Sequence, residues 1–111
     1  MIDFELDDLK REFLTEADEK VREMQAMADA GDRESLERLA YLAHQLKGSG
    51  GSYGFQRIST DAADLERAIE RLTENGNGDG ANAAIEGEIQ QHVVNLRTEI
   101  EKRSKELGPS A

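Results

Sequence analysis

The chain has 111 residues, enough for one domain with a modest core but not for two. It contains no cysteine, which excludes disulfides, thiolate metal sites and a cysteine nucleophile. Its 24 acidic residues outnumber its 14 basic residues, and the net charge of −10 would repel a nucleic-acid backbone. No apolar run approaches the roughly 18 residues that a membrane span needs. We therefore expect a cytoplasmic protein with neither a nucleic-acid nor a membrane partner.

The first predicted element is a helix over residues 4–28. Apolar residues recur in it at helical spacing along one stripe, which is formed by Leu6, Leu9, Phe13, Ala17, Val21, Met24 and Ala28. The helix is expected to end at Gly31, because glycine suits a left-handed helix end. Asp32 follows directly and is expected to cap the next helix.

Three more helices are predicted along the chain. The second, 33–53, has the alternating steps of three and four that are typical of a bundle seam, at Leu36, Leu39, Ala43, Leu46, Gly50 and Tyr53. The third, 55–74, repeats this spacing at Ile58, Ala62, Leu65, Ile69 and Leu72. A glycine-rich turn at 75–80 separates it from the last helix, 81–106, with Ile85, Ile89, Val93, Leu96 and Ile100.

The predicted connections are all short, and none is long enough to cross a bundle. Four amphipathic helices joined in this way favour an all-α, antiparallel up-down-up-down four-helix bundle. We assign residues 1–107 to this single domain and expect a flexible tail at 108–111. The domain is expected to be a monomer.

The least typical helical stretch is HQLKGSGGSYGF, residues 44–55. On a helical wheel His44 lies roughly 135° from the centre of the seam and points outward. The face around it is formed by small side chains apart from a tyrosine and a lysine: Ala40, Tyr41, Lys47, Gly48 and Gly51.

The glycines of this stretch need a compensating role, because each glycine inside a helix costs about 1 kcal/mol relative to alanine. Gly50 lies on the seam, and we interpret it as a packing residue. Gly48 and Gly51 flank the outward histidine, and we expect them to clear space so that the active site of another macromolecule reaches His44. Gly54 is expected to turn the chain into the third helix.

The same stretch resembles the signature of histidine phosphotransfer (HPt) domains, in which a histidine is followed by Leu, Lys and Gly and then by small residues. The matching residues here are His44, Leu46, Lys47, Gly48, Ser49, Gly50, Gly51, Gly54 and Phe55. FLTEADEKV and AGDRESLERLAYLAH upstream and ADLERAIE downstream are similar to the family as well. The resemblance covers most of residues 4–74, while the last helix matches only in pattern.

The resemblance implies that His44 accepts a phosphoryl group on Nε2 and exchanges it with an aspartate of a response-regulator receiver domain. It implies that Glu66, at a position where the family often has Glu or Gln, accepts a hydrogen bond from Nδ1 of His44. Lys47 would attract the phosphoryl oxygens. Residues that would meet the partner are Ala40, Tyr41, Gly48, Gly51 and Arg57, and the remaining motif residues Leu46, Ser49, Gly50, Gly54 and Phe55 would be structural.

The implied partners are a response-regulator receiver domain, a histidine kinase, or both. We expect no cofactor or metal in this chain, and Mg²⁺ would belong to the receiver. The protein would then be a phosphocarrier rather than a self-sufficient enzyme. His92 lacks a Lys-Gly companion and is predicted to be structural.

Two functions of other classes are alternatives: the sequence argues against a nucleotide-binding enzyme and leaves a helical adaptor open. A nucleotide-binding enzyme with GSGGSYG as its phosphate loop would need a preceding strand and G-K-[ST], and the sequence has neither. A non-catalytic helical adaptor stays open, and its function would survive His44→Gln. Within the family, the chain fits a free-standing carrier, a module of a hybrid kinase, or the phosphoacceptor domain of a chemotaxis-type kinase.

Overall fold

The computed structural model describes the backbone of residues 2–75 and 79–108 and the side chains of residues 6–74 and 82–108. These residues form four helices: α1 (Ile2–Ala30), α2 (Arg33–Ser52), α3 (Gln56–Asn75) and α4 (Asp79–Leu107). Each helix packs against two others in the cyclic order α1, α2, α3, α4, and the described chain contains no strand. The predicted all-α four-helix bundle is confirmed.

The core is built almost entirely from aliphatic side chains, as the low aromatic content requires. Every seam residue predicted in α4 is buried, and so are most of those predicted in α2 and α3. No polar or charged residue is buried as a whole among the described side chains. The periodicity missed Leu14, Leu42 and Ala68, which are also buried, because the buried face of a helix between two neighbours is wider than a single stripe.

The beginning of α1 differs from the prediction. Leu6 and Leu9 were predicted on the buried stripe, but their exposed fractions are 41% and 48%. Further along α1, Phe13 stacks on Tyr53 and Phe55 at the α2–α3 turn, with ring centroids 5.0 and 5.6 Å apart. Because α1 has 29 residues and α2 only 20, the turns of α1 before Phe13 extend past the α2–α3 turn and leave the core.

The connection between α1 and α2 has the predicted chemistry. Gly31 has a φ of +69°, the left-handed conformation that glycine adopts at helix ends. The carboxylate of Asp32 accepts a hydrogen bond from the backbone N–H of Ser35 at 3.3 Å and caps α2. Both predictions are confirmed, although α1 continues to Ala30, two residues beyond its predicted end.

The end of α4 is held by α1. Arg11 donates hydrogen bonds to the carbonyl oxygens of Leu107 and Gly108, at 3.0 and 3.2 Å. The tail predicted at 108–111 therefore begins with a fixed residue, while residues 109–111 lie outside the described chain. In the predicted turn 75–80, α3 includes Asn75 and α4 begins at Asp79, and residues 76–78 are not described.

Within the described ranges, none of the helices combines the length and the apolar character that crossing a bilayer requires.

Candidate functional site

His44 lies on the outer face of α2. The residues next to it on the inner side, Ala43 and Leu46, are buried, so the helix presents the histidine away from the core. The side chain of His44 is 65% exposed. The outward orientation expected from the helical wheel is confirmed.

A single carboxylate connects His44 and Lys47. Oε2 of Glu66 lies 3.0 Å from Nδ1 of His44, and Oε1 of the same residue accepts a hydrogen bond from Nζ of Lys47, also at 3.0 Å. Glu66 follows the buried Leu65 on α3, at the edge of the interface with α2. Its side chain is only 21% exposed, so the three groups form one partly shielded cluster.

The charge of Glu66 determines which tautomer of the neutral His44 ring fits the contact. Burial would raise the pKa of Glu66, but hydrogen bonds from Lys47 and His44 outweigh it, and the pKa lies below its ordinary value of 4.5. Glu66 is therefore a carboxylate at neutral pH and only accepts hydrogen bonds. Nδ1 of His44 must carry the hydrogen in this contact, which leaves the lone pair of Nε2 free in the neutral ring.

The glycines around His44 differ in their surroundings. A Cβ atom on Gly48 would meet nothing within 4 Å, and one on Gly51 would meet only Oγ of Ser59, at 3.5 Å. On Gly50 it would lie 3.2 Å from both the Cγ2 atom of Ile58 and the backbone nitrogen of Ser59. Gly50 is thus located where α2 and α3 are in close contact, while Gly48 leaves open surface beside His44.

The other residues predicted to meet a partner are distributed unevenly. Tyr41 is 53% exposed, and its Oη accepts a hydrogen bond from Gln45 at 2.9 Å. Ala40 is half-buried against the core, so it adds little to the surface. Arg57 is exposed in the first turn of α3, nine residues before Glu66 and therefore about 13 Å away along the helix axis. The structure does not bring Arg57 to His44.

The remaining motif residues form the end of α2. Leu46 is buried, and Ser49 is exposed with its carbonyl accepting a hydrogen bond from the backbone of Tyr53 at 3.0 Å. Gly54 has a φ of +82°, a backbone conformation that residues with a side chain rarely adopt, and it turns the chain toward α3. Phe55 is half-buried in the aromatic stack that covers the end of the bundle.

Sequence reasoning missed two contacts of Lys47. Its ammonium group was predicted to attract phosphoryl oxygens, and in the structure it donates to Glu66. Its backbone carbonyl accepts a hydrogen bond from the hydroxyl of Ser59 on α3, at 2.8 Å. Ser59 and Glu66 are seven residues apart and share a helix face, but that spacing alone does not show which residues of α2 they meet.

The second histidine, His92, has a different environment on α4. It is half-buried, and its Nδ1 atom is buried without a hydrogen-bond partner in the described part of the chain. The groove beside it is lined by charged side chains, including Arg71, which pairs with Glu88 at 2.9 Å. Among the residues that the structure describes, no group of three or more His, Asp or Glu is arranged to hold a metal ion.

The comparisons with known proteins agree with this site. The Hpt domain family matches residues 8–103, which include His44, Lys47 and Glu66 and extend into α4. No curated protein and no solved structure matches the chain. Since the family match covers most of the chain and the fold is the four-helix bundle that the resemblance implied, the chain belongs to the Hpt domain family, the histidine phosphotransfer modules of phosphorelays.

Proposed function

We propose that this protein is a phosphocarrier that accepts a phosphoryl group on Nε2 of His44 and exchanges it with an aspartate of a receiver domain. The observation that supports this best is the contact of 3.0 Å between Nδ1 of His44 and the carboxylate of Glu66. It holds the ring in the tautomer in which Nε2 is the nucleophile. The open surface at Gly48 lets another active site approach that atom.

The transfer step needs no proton to leave His44. The lone pair of Nε2 forms a bond to phosphorus while the bond from phosphorus to the aspartate oxygen breaks, and the electron pair leaves with that oxygen as a carboxylate. The new N–P bond places positive charge on the ring, which is shared with Nδ1–H. Glu66 stabilises this charge, because its carboxylate lies next to Nδ1. Transfer onward to another aspartate is the reverse of the same step.

Lys47 is proposed to contact the phosphoryl oxygens. It follows His44 by one turn of α2, so the two side chains leave the helix on the same side. In the unmodified protein its ammonium group is bound to Glu66, and its side chain is 37% exposed. A flexible ammonium group in this position can turn from one acceptor to a nearby phosphoryl oxygen without movement of the backbone.

The catalytic Mg²⁺ is proposed to reside in the receiver domain, where it would stabilise charge on the transferring phosphoryl group. The residues of this chain would supply the nucleophile, the group that orients it and one cation. We further expect a monomer that acts in the cytoplasm and docks through the surface around His44, including Tyr41. In this arrangement the protein carries phosphoryl groups between partners and does not phosphorylate itself.

The proposal is tested by incubating the protein with phosphorylated receiver domains, and with histidine kinases supplied with ATP. We expect a label on the protein that is stable to alkali and lost in acid, as a phosphohistidine is, and that is absent in His44→Gln. His92→Gln is the matched control, because it removes the only other histidine of the chain, and it should be labelled like the wild type. If no cognate receiver or kinase labels the wild-type protein, the adaptor function is favoured instead.

In the same experiment, the protein that donates the phosphoryl label distinguishes the subtypes of the family. Label that arrives from a receiver aspartate and passes to a second receiver indicates a relay carrier, free-standing or within a hybrid kinase. Label that arrives directly from an ATP-binding kinase domain indicates the phosphoacceptor domain of a chemotaxis-type kinase.

A further inference from the structure

The contact between α2 and α3 contains a hydrogen bond that joins the two helices close to the site. The hydroxyl of Ser59 on α3 donates to the backbone carbonyl of Lys47 on α2 at 2.8 Å, in a partly buried position. A serine side chain is short, so this bond requires the two backbones to be close. Gly50 allows that approach, because a Cβ atom on it would lie 3.2 Å from the backbone nitrogen of Ser59.

Lys47 is therefore attached to α3 at two points. Its carbonyl is bound by Ser59, and its ammonium group is bound by Glu66. Ser59 and Glu66 are seven residues apart, about two turns or roughly 10 Å along the same face of α3. The bond of the short Ser59 side chain to a backbone atom restricts the position of α3 relative to α2, while the long Lys47 side chain can follow small shifts.

The position of α3 matters because Glu66 must reach two groups at once. Each of its carboxylate oxygens lies 3.0 Å from a nitrogen, Oε2 from His44 and Oε1 from Lys47. A shift of α3 by a single residue would move Glu66 about 1.5 Å along the axis, half the length of these contacts, and would misalign its hydrogen bond with His44. Packing of the aliphatic core sets the distance between the two helices, and the hydrogen bond of Ser59 adds a directional contact next to the site.

We propose that Ser59 is a positioning residue for phosphotransfer, whose hydroxyl bond to the Lys47 carbonyl holds α3 in the register that brings Glu66 to His44. The inference rests on the proposed function of His44. Ser59 does not touch the reacting atoms and acts through Glu66. Its loss changes the tautomer of the histidine ring in the folded protein, which a residue that only stabilises the fold would not do.

The test compares Ser59→Ala with the wild type by nitrogen NMR of the histidine rings, below the melting temperature of both proteins. The spectrum of His44→Gln lacks the signals of His44 and therefore identifies them, since the chain has only two histidines. We expect a smaller fraction of the Nδ1–H tautomer at His44 in Ser59→Ala. The rate of phosphoryl transfer should fall about three- to tenfold, as for the loss of one hydrogen bond. Ser59→Thr keeps the hydroxyl and should restore both measurements.

Thr73 provides a matched control on the same helix. It lies seven residues after Glu66, as Ser59 lies seven residues before it, and its hydroxyl also donates to a backbone carbonyl, that of Glu70 at 2.9 Å. This bond stays within α3, so Thr73→Ala should leave both the tautomer and the transfer rate unchanged. An unchanged His44 tautomer in Ser59→Ala, failed rescue by Ser59→Thr, or an equal effect of Thr73→Ala would overturn the inference.

The two proposals fail in different ways. If the wild type carries phosphate and Ser59→Ala transfers it equally fast with an unchanged tautomer, the positioning role is wrong and the phosphocarrier function stands. If the wild type accepts no phosphate, the phosphocarrier function is wrong, while the ring spectra still show whether Ser59 positions Glu66.

Discussion

His44 and His92 occupy two faces of one bundle, and their surroundings differ in every respect that bears on nucleophilic chemistry. His44 projects into solvent with Nδ1 against the carboxylate of Glu66, whereas His92 is half-buried with Nδ1 enclosed. Gly48 leaves open surface beside the first, and long paired side chains such as Arg71 and Glu88 line the groove beside the second. Of the two histidines, it is His44 that combines a fixed tautomer with open space beside the ring, and these are the features on which its proposed role as phosphoacceptor depends.

The open space can be removed without changing the ring. Gly48→Phe fills the surface beside His44, at a position where a Cβ atom meets nothing within 4 Å. We expect transfer from a receiver to fall about 100-fold, because the reacting atoms are held out of position. Helix content and melting temperature should be maintained, because glycine is the poorer helix former.

Gly87→Phe is the matched control for this effect, since Gly87 is a helical glycine of α4 with equally open surroundings. It should transfer at the wild-type rate. Normal transfer by Gly48→Phe would show that the glycine has no role in access to His44.

The fixed tautomer can be loosened while the space stays open. Glu66→Gln keeps the shape of the side chain but removes the charge that binds both His44 and Lys47. We expect the rate of phosphoryl transfer to fall about tenfold, the effect of weakening a charge-assisted hydrogen bond. The same substitution at Glu88 removes the partner of Arg71 on the other face and should not change the rate. Equal transfer rates for Glu66→Gln and Glu88→Gln would show that Glu66 has no role in phosphoryl transfer.

The smallest expected effect is the change of folding stability with pH. Two carboxylates on different faces of α3, Glu66 and Asp61, contribute to it with opposite signs. The pKa of Glu66 is lowered, so its ionised form stabilises the fold above its ordinary pKa of 4.5, and this contribution is lost as the pH falls through the folded-state pKa. Burial raises the pKa of Asp61 above its ordinary 3.8, and Arg57 and His92 oppose this only in part. The ionised Asp61 therefore destabilises the fold at neutral pH, and protonation removes that penalty.

Urea unfolding at a series of pH values measures the free energy of unfolding and so tests both contributions. At pH 7 we expect Glu66→Gln to be less stable than the wild type and Asp61→Asn to be more stable. Both differences should shrink as the pH falls, that of Glu66→Gln below pH 4.5 and that of Asp61→Asn already as the raised pKa of Asp61 is approached. A difference that stays constant down to pH 3 would show that the titration of that carboxylate is not coupled to folding.

Much of the fold followed from spacing alone, because helical periodicity is a local property of the chain. It placed α2, α3 and α4 and turned His44 outward. It was wrong for Leu6 and Leu9, since the spacing of apolar residues does not show how far one helix extends past its neighbours. That extension depends on the relative lengths of α1 and α2, which are set by where each helix ends.

The site was predicted less completely than the fold. The motif led to His44 and Lys47, and the family resemblance led to Glu66. The hydroxyl of Ser59 carries no motif, and its role depends on the distance between two backbones, which is set by packing across the whole interface. For the same reason the sequence could not show that Lys47 binds Glu66 in the unmodified protein.

All the groups proposed to act in transfer lie between Ala40 and Glu66, on α2 and α3, while α1 and α4 support them from behind. The proposed chemistry is therefore carried by one continuous quarter of the chain, and α1 and α4 contribute mainly buried apolar side chains. The outward faces of α1 and α4 are therefore where a change of charge should disturb the proposed transfer least, provided that the inward residues stay apolar.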